Sequence, residues 1–174
     1  MDSSFTRRDL LRGATGFAFV TLQLSAADPG APLFFTRDEF QLLDALTDLI
    51  IPTDEHSPGA HEALVAPYID RSVAEAFDPG AKTSWRKGLA YVNDLSREKN
   101  GKPFLEASKP QQIAVVTEMA KNEFAPKTDG EKFFGQLKQT TAATYYSTSL
   151  GIHQEMNYKG NVLLREFVGY SVGS

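Results

Sequence analysis

The three histidines, His56, His61 and His153, are the side chains best suited to metal or acid–base chemistry, but their spacing favours neither. None belongs to an E-x-x-H or H-E-x-x-H arrangement, which would present two ligands on one helix face. Because cysteine is absent, thiolate-ligated zinc, iron–sulfur clusters, covalent c-type haem and disulfides are excluded. The histidines are interpreted as structural or solvated residues. A metal site of His153, Glu155 and another histidine is a weak alternative.

The chain also lacks the sequence motifs that usually bind nucleotides. The chain contains neither a G-x-G-x-x-G fingerprint nor a Walker sequence, so a dinucleotide or nucleotide phosphate has no recognisable cradle. The net charge of −4 makes nucleic-acid binding improbable, because such binding depends on clustered positive charge. We therefore expect no catalytic, cofactor-binding or metal-binding residue on this chain, and no enzymatic activity of its own.

The segment 145–161 is the most unusual stretch, since it combines aromatic, amide, imidazole and glycine residues near the C-terminus. Loops of this composition often recognise a partner, and a tyrosine with a polar tip suits an interface. The alternative is an ordered terminal loop folded over the helices. The candidate interface residues are Tyr145, His153, Tyr158, Gly160 and Asn161.

The sequence predicts helices that position these residues, and three of these helices lie before residue 101. A Thr36-x-x-Glu39 capping box begins the first predicted helix, which ends before Pro52. The second carries Pro67 in its first turn and an apolar stripe that continues to Phe77. The third buries Trp85 and ends near residues 100–101.

Two further helices follow. The fourth begins at a Ser-x-x-Gln box from Ser108, and its predicted buried side consists of Ile113, Val116, Ala120 and Phe124. The fifth follows residues 128–130, and its inner face changes from aromatic to hydroxyl-bearing at Thr141, Thr144 and Thr148. That change favours contact with a more polar surface, such as another subunit. The prediction is an all-α fold: one compact domain of about five helices with an irregular C-terminal loop.

Residues 1–27 resemble a twin-arginine export signal, which leaves 28–174 as the helical domain. Paired arginines precede a short apolar run that is too short to span a bilayer. The signal residues are Arg7, Arg8, Leu10 and Leu11, and cleavage is expected between Ala27 and Asp28. A cytosolic amphipathic helix is the alternative. The signal interpretation predicts a periplasmic protein that interacts with the twin-arginine translocase.

Residues 35–40 and 42–54, the helix Tyr68-Ile69-Asp70-Arg71 and the loop 157–161 resemble the gluconate 2-dehydrogenase subunit 3 family. The resemblance implies a non-catalytic small subunit of a flavin-dependent sugar or gluconate dehydrogenase. FAD would lie on a large flavoprotein of the glucose–methanol–choline type, and a cytochrome c would accept electrons in some such complexes. The small subunit would support the export, folding and stability of that partner, with membrane association through the complex left open.

A free-standing periplasmic carbohydrate-binding protein is the alternative function. In that interpretation, the hydroxyl groups of the fifth helix and the terminal loop form a sugar pocket, because a pocket needs a few convergent polar groups. The two functions differ in whether the isolated chain binds a sugar. They also differ in whether a flavoprotein accompanies the chain.

Overall fold

The computed structural model describes residues 31–55 and 57–152, which form five α-helices and no strand. A short 3-10 helix, Phe104–Glu106, precedes the fourth of them. The five helices are α1 (Arg37–Ile50), α2 (Val65–Glu75), α3 (Pro79–Asn100), α4 (Lys109–Met119) and α5 (Asp129–Tyr145). The predicted all-α fold is confirmed.

Local capping chemistry sets most of the helix ends. Both halves of the predicted capping box of α1 are present: the Glu39 N–H donates to Thr36 Oγ1 at 3.2 Å, and the Thr36 N–H donates to Glu39 Oε2 at 2.8 Å. Helix α3 ends at Asn100 and is capped by Gly101, whose φ of 73° is the left-handed conformation that glycine adopts most easily. The predicted bounds of α1 and the predicted end of α3 are confirmed.

Phe77 was predicted to extend the buried stripe of α2, and this prediction is wrong. The helix ends at Glu75, so Phe77 lies beyond its last turn and is fully exposed. Asp78 then caps α3, with its carboxylate accepting from the Gly80 N–H at 2.8 Å and with Pro79 in the first position. Asp78 and Pro79, which end the apolar run of α2, therefore begin α3. Phe77 lies in the short connection between the two helices.

The buried side predicted for α4 is also wrong in part. Val115 and Met119 are the buried residues of this helix, whereas Ile113 is about half exposed. Phe124 follows the end of α4 and is fully exposed. Apolar residues occur on two sides of this short helix, so periodicity alone does not identify its inner face. Contacts with α3 and α5 select the side that carries Val115 and Met119.

Helices α3 and α5 each contact all four other helices, and the core forms around their crossing. Trp85 of α3 lies edge-on to both Phe35 and Phe133, with ring centroids 6.2 and 5.6 Å apart. Gly88 allows this approach, because a Cβ atom there would lie 2.0 Å from the Phe133 ring. The predicted core position of Trp85 is confirmed. Within the described residues, no helix has the length and apolar character needed to cross a membrane.

Candidate partner interface

Tyr145, one of the candidate interface residues, lies in the core of the described structure. Its side chain is completely buried at the end of α5. The phenol donates to the Pro58 carbonyl oxygen at 2.6 Å and lies 2.6 Å from Ser57 Oγ, 88 residues earlier in the chain. Tyr145 therefore attaches the α1–α2 connection to α5. A buried tyrosine needs such partners for its hydroxyl group, because an unpaired one would cost free energy.

Two of the three threonines of the predicted hydroxyl-bearing face are turned inward as well, whereas Thr144 is partly exposed. Thr141 and Thr148 are buried, so neither offers its hydroxyl to a second subunit or to a sugar. Thr148 Oγ1 donates to the Tyr145 carbonyl oxygen at 2.7 Å. Thr141 Oγ1 has no hydrogen-bond partner in the part of the chain that the structure describes. Thr141 and Thr148 therefore contribute neither to a polar contact face on α5 nor to a carbohydrate pocket there.

His61 lies on the surface rather than in a catalytic cluster. Its Nδ1 atom is 2.7 Å from Asp44 Oδ2, and two-thirds of the imidazole side chain is exposed. Among residues 31–55 and 57–152, no group of three or more carboxylate or imidazole side chains is arranged to hold a metal ion. The His61–Asp44 contact is therefore an exposed side-chain contact between α1 and the connection that precedes α2.

Several predicted residues lie outside the described residues. They are the export signal Arg7, Arg8, Leu10 and Leu11, the cleavage pair Ala27 and Asp28, and the interface candidates His153, Tyr158, Gly160 and Asn161. His56 does so too. Residues 169–173 fit the letters of a G-x-S-x-G nucleophile elbow and also lie outside. The letters alone do not establish that motif, because it depends on a strand–turn–helix context that the described residues do not cover.

Helix α2 combines a structural inner face with an exposed outer face. On the inner face, Asp70 is 97% buried, since only 3% of its surface is accessible. Its carboxylate accepts the backbone N–H groups of Leu33, Phe34 and Phe35, the latter two at 3.0 Å. Buried donors of an irregular segment need such acceptors. Asp70 therefore holds the chain that leads into α1 against α2.

The outer face of α2 lines a shallow cavity of about 260 Å³, and its four lining residues are here called the α2 outer face: Leu64, Pro67, Tyr68 and Arg71. Leu64 and Tyr68 are 59% and 58% exposed. Their spacing of three, four and seven residues places them on one side of the helix, opposite the buried stripe. The sequence contained this signal, because these apolar residues fall off the inner stripe, but their exposure could only be learned from the packing.

A second cavity of about 320 Å³ lies between α3 and α5. Gly88, Tyr91 and Phe133 form its apolar lining, and Lys87 and Lys132 supply charge. Lys132 already pairs with Asp129 at 3.2 Å, and Ser84 donates to Gln136 at 3.1 Å. The polar groups of this cleft are thus largely satisfied within the protein. Its floor is the close crossing of α3 and α5.

The carboxylates with perturbed pKa values serve structural contacts. Hydrogen bonds from Lys121 and Lys99 lower the pKa of Glu118 to about 2. The backbone N–H of Lys127 and the Asn122 side chain lower the pKa of Glu131, the residue that completes the capping box of α5. Both shifts favour the ionised form, whereas a general acid needs a raised pKa. These groups join helices and do not form an acid–base pair.

The described residues define an all-helical protein with a partly apolar, exposed outer face on α2. The family model described as gluconate 2-dehydrogenase subunit 3 matches residues 37–162, which is most of the chain. The chain therefore belongs to the gluconate 2-dehydrogenase subunit 3 family, whose name denotes one subunit of a multi-subunit dehydrogenase. Comparisons with curated proteins and with solved structures give no match.

Proposed function

We propose that this chain is the non-catalytic small subunit of a periplasmic flavin-dependent sugar or gluconate dehydrogenase. The large subunit is a flavoprotein of the glucose–methanol–choline type that carries FAD and the substrate pocket, and a cytochrome c accepts its electrons. The segment 1–27 directs export of the two folded chains together by the twin-arginine translocase. The helical domain then stays bound to the large subunit and, if the complex is membrane-associated, reaches the membrane through it.

The family match over residues 37–162 is the observation that carries this proposal. A chain that binds only the folded large subunit stabilises it by mass action, by about 2.7 kcal/mol when its free concentration is 100 times the dissociation constant. A folded-cargo signal on this small chain is useful if the cargo includes the cofactor-bearing partner. The proposal therefore assigns the chain two linked tasks, export and stabilisation.

Deletion of this chain in its native host tests both tasks together. We expect the large subunit to lose its periplasmic location, much of its bound flavin and its dehydrogenase activity. The three readouts are immunoblotting of periplasmic fractions, flavin absorbance of the purified large subunit and dye-linked sugar oxidation. Unchanged location, flavin content and activity would contradict the proposal.

The double substitution Arg7→Lys and Arg8→Lys separates export from stabilisation. It changes only the paired arginines of the signal and leaves the helical domain intact. We expect both subunits to remain in the cytoplasm as a complex that contains flavin. If the large subunit reaches the periplasm normally in this strain, the signal of this chain does not serve the partner.

A further inference from the structure

We propose that the α2 outer face (Leu64, Pro67, Tyr68 and Arg71) is the docking surface for the catalytic subunit. The complementary surface on that subunit is an apolar recess with a carboxylate positioned to receive the Arg71 guanidinium. This inference rests on the proposed function and deepens it, because it states where on this chain the partner binds and what chemistry recognises it.

The first argument is the apolar surface that α2 exposes to solvent. Leu64 and Tyr68 stand one helical turn apart, and more than half of each is exposed beside Pro67. Phe77 and Phe124 are more exposed still, but neither lines a described cavity of the chain. Interfaces concentrate their binding energy in a few clustered residues, with tyrosine and arginine enriched among them. The α2 outer face provides such a cluster.

The second argument is charge. The described residues include four arginines: Arg37, Arg71, Arg86 and Arg97. Arg86 donates to the Phe34 carbonyl oxygen and Arg97 to Asp94, both at 3.0 Å, and Arg37 also has a partner. Arg71 alone among these four makes no hydrogen bond or ion pair within the described residues. A guanidinium fork beside an apolar cluster is complementary to a carboxylate at the edge of an apolar recess.

The third argument is the backbone at Leu64. Its φ of 56° and ψ of 38° are left-handed, and it is the only non-glycine residue with positive φ among those described. Glycine adopts this conformation without steric cost, whereas leucine does not. The conformation is maintained by hydrogen bonds on both sides, from the Leu64 N–H to the His61 carbonyl oxygen and from the Val65 N–H to the Ala60 carbonyl oxygen, each at 3.0 Å. Since the leucine side chain is 59% exposed and contributes little to the core, we infer that it serves an external contact.

The test measures binding of full-length variants to the large subunit that is recovered from the wild-type complex. The variants are Leu64→Gly, Tyr68→Ala and Arg71→Glu, each expected to weaken the dissociation constant at least tenfold. Phe124→Ala is the control for loss of an exposed aromatic ring, and Arg97→Glu is the control for charge reversal. Both controls are expected to bind within about twofold of wild type, as surface sites outside the interface do.

Leu64→Gly distinguishes a binding role from a folding role. Because glycine relieves the left-handed strain, the unfolding temperature of the isolated variant is expected to equal or exceed that of wild type, while its binding is weakened. Wild-type affinity in all three α2 variants, with the complex still forming, would overturn the docking surface and leave the proposed function standing. If wild type itself binds no flavoprotein subunit, both proposals are wrong.

Discussion

Asp70 shows how a single side chain can order a segment that has no regular structure of its own. Residues 33–35 precede α1 and have no helical acceptors for their N–H groups. The buried carboxylate of Asp70 accepts from all three, so the charge is solvated by backbone donors instead of water. Its neighbours Tyr68 and Arg71 point the other way. Adjacent residues of α2 thus serve the fold and the surface separately.

Asp70→Asn is expected to lower the free energy of unfolding by roughly 2–3 kcal/mol, because hydrogen bonds to a charged group are lost and a buried amide donor then faces backbone donors. Urea denaturation followed by circular dichroism measures the change. Asp94→Asn is the control, since Asp94 pairs with Arg97 on an exposed surface and its loss should cost less than about 1 kcal/mol. Equal losses in the two variants would contradict the structural role of Asp70.

At the scale of elements, the crossing of α3 and α5 depends on the absence of a side chain at Gly88. The Phe133 ring occupies the space that a Cβ atom would need. The same ring contacts Trp85 edge-on, so it has little freedom to move away. The distance between α3 and α5 is therefore set by a glycine on one helix and an aromatic ring on the other.

Two glycine-to-alanine substitutions should have opposite effects on stability. Gly88→Ala is expected to lower the free energy of unfolding by about 1–3 kcal/mol, because it overpacks the crossing of α3 and α5. Gly135→Ala should raise it by about 0.5–1 kcal/mol, since a Cβ atom there has nothing within 4 Å and alanine favours the helix. Thermal unfolding measures both. A Gly88→Ala protein as stable as wild type would show that α3 and α5 can separate freely.

For the whole molecule, two carboxylates connect separate parts of the helical array. Glu118 of α4 receives Lys121 at 2.6 Å and Lys99 of α3 at 2.8 Å. Glu131 of α5 receives the Asn122 side chain at 2.7 Å from the α4–α5 connection. Both pKa values are lower in the folded protein than the ordinary value of 4.5. Their contribution to stability is therefore complete above about pH 4.5 and is lost as the pH falls through the folded pKa, which is about 2 for Glu118.

Stability should accordingly fall between about pH 4.5 and pH 2, and the double variant Glu118→Gln and Glu131→Gln should fall less steeply. The double variant should also have a lower denaturation midpoint at pH 7, because the ionised carboxylates are no longer there to accept hydrogen bonds. Urea midpoints measured across this range test both statements. Glu106→Gln, at an exposed position, should follow wild type. An unchanged pH slope in the double variant would show that other groups govern acid unfolding.

The sequence by itself determined the fold class, the start and end of α1, the end of α3 and the burial of Trp85. These features depend on signals that act within about one helical turn, such as capping boxes, a terminal glycine and apolar residues at helical spacing. Family membership was also readable from the sequence, because it depends on the order of such segments along the chain.

Only the tertiary structure decided which faces are used. The buried side of α4, the exposed position of Phe77 and the burial of Tyr145, Thr141 and Thr148 all depend on neighbouring elements. The partner of Tyr145 lies 87 residues away at Pro58, beyond the reach of any local pattern. The exposure of the α2 outer face likewise depends on how α2 packs against its neighbours. Periodicity shows that a helix has an apolar side, but packing against particular neighbours decides which apolar residues remain in water for a partner.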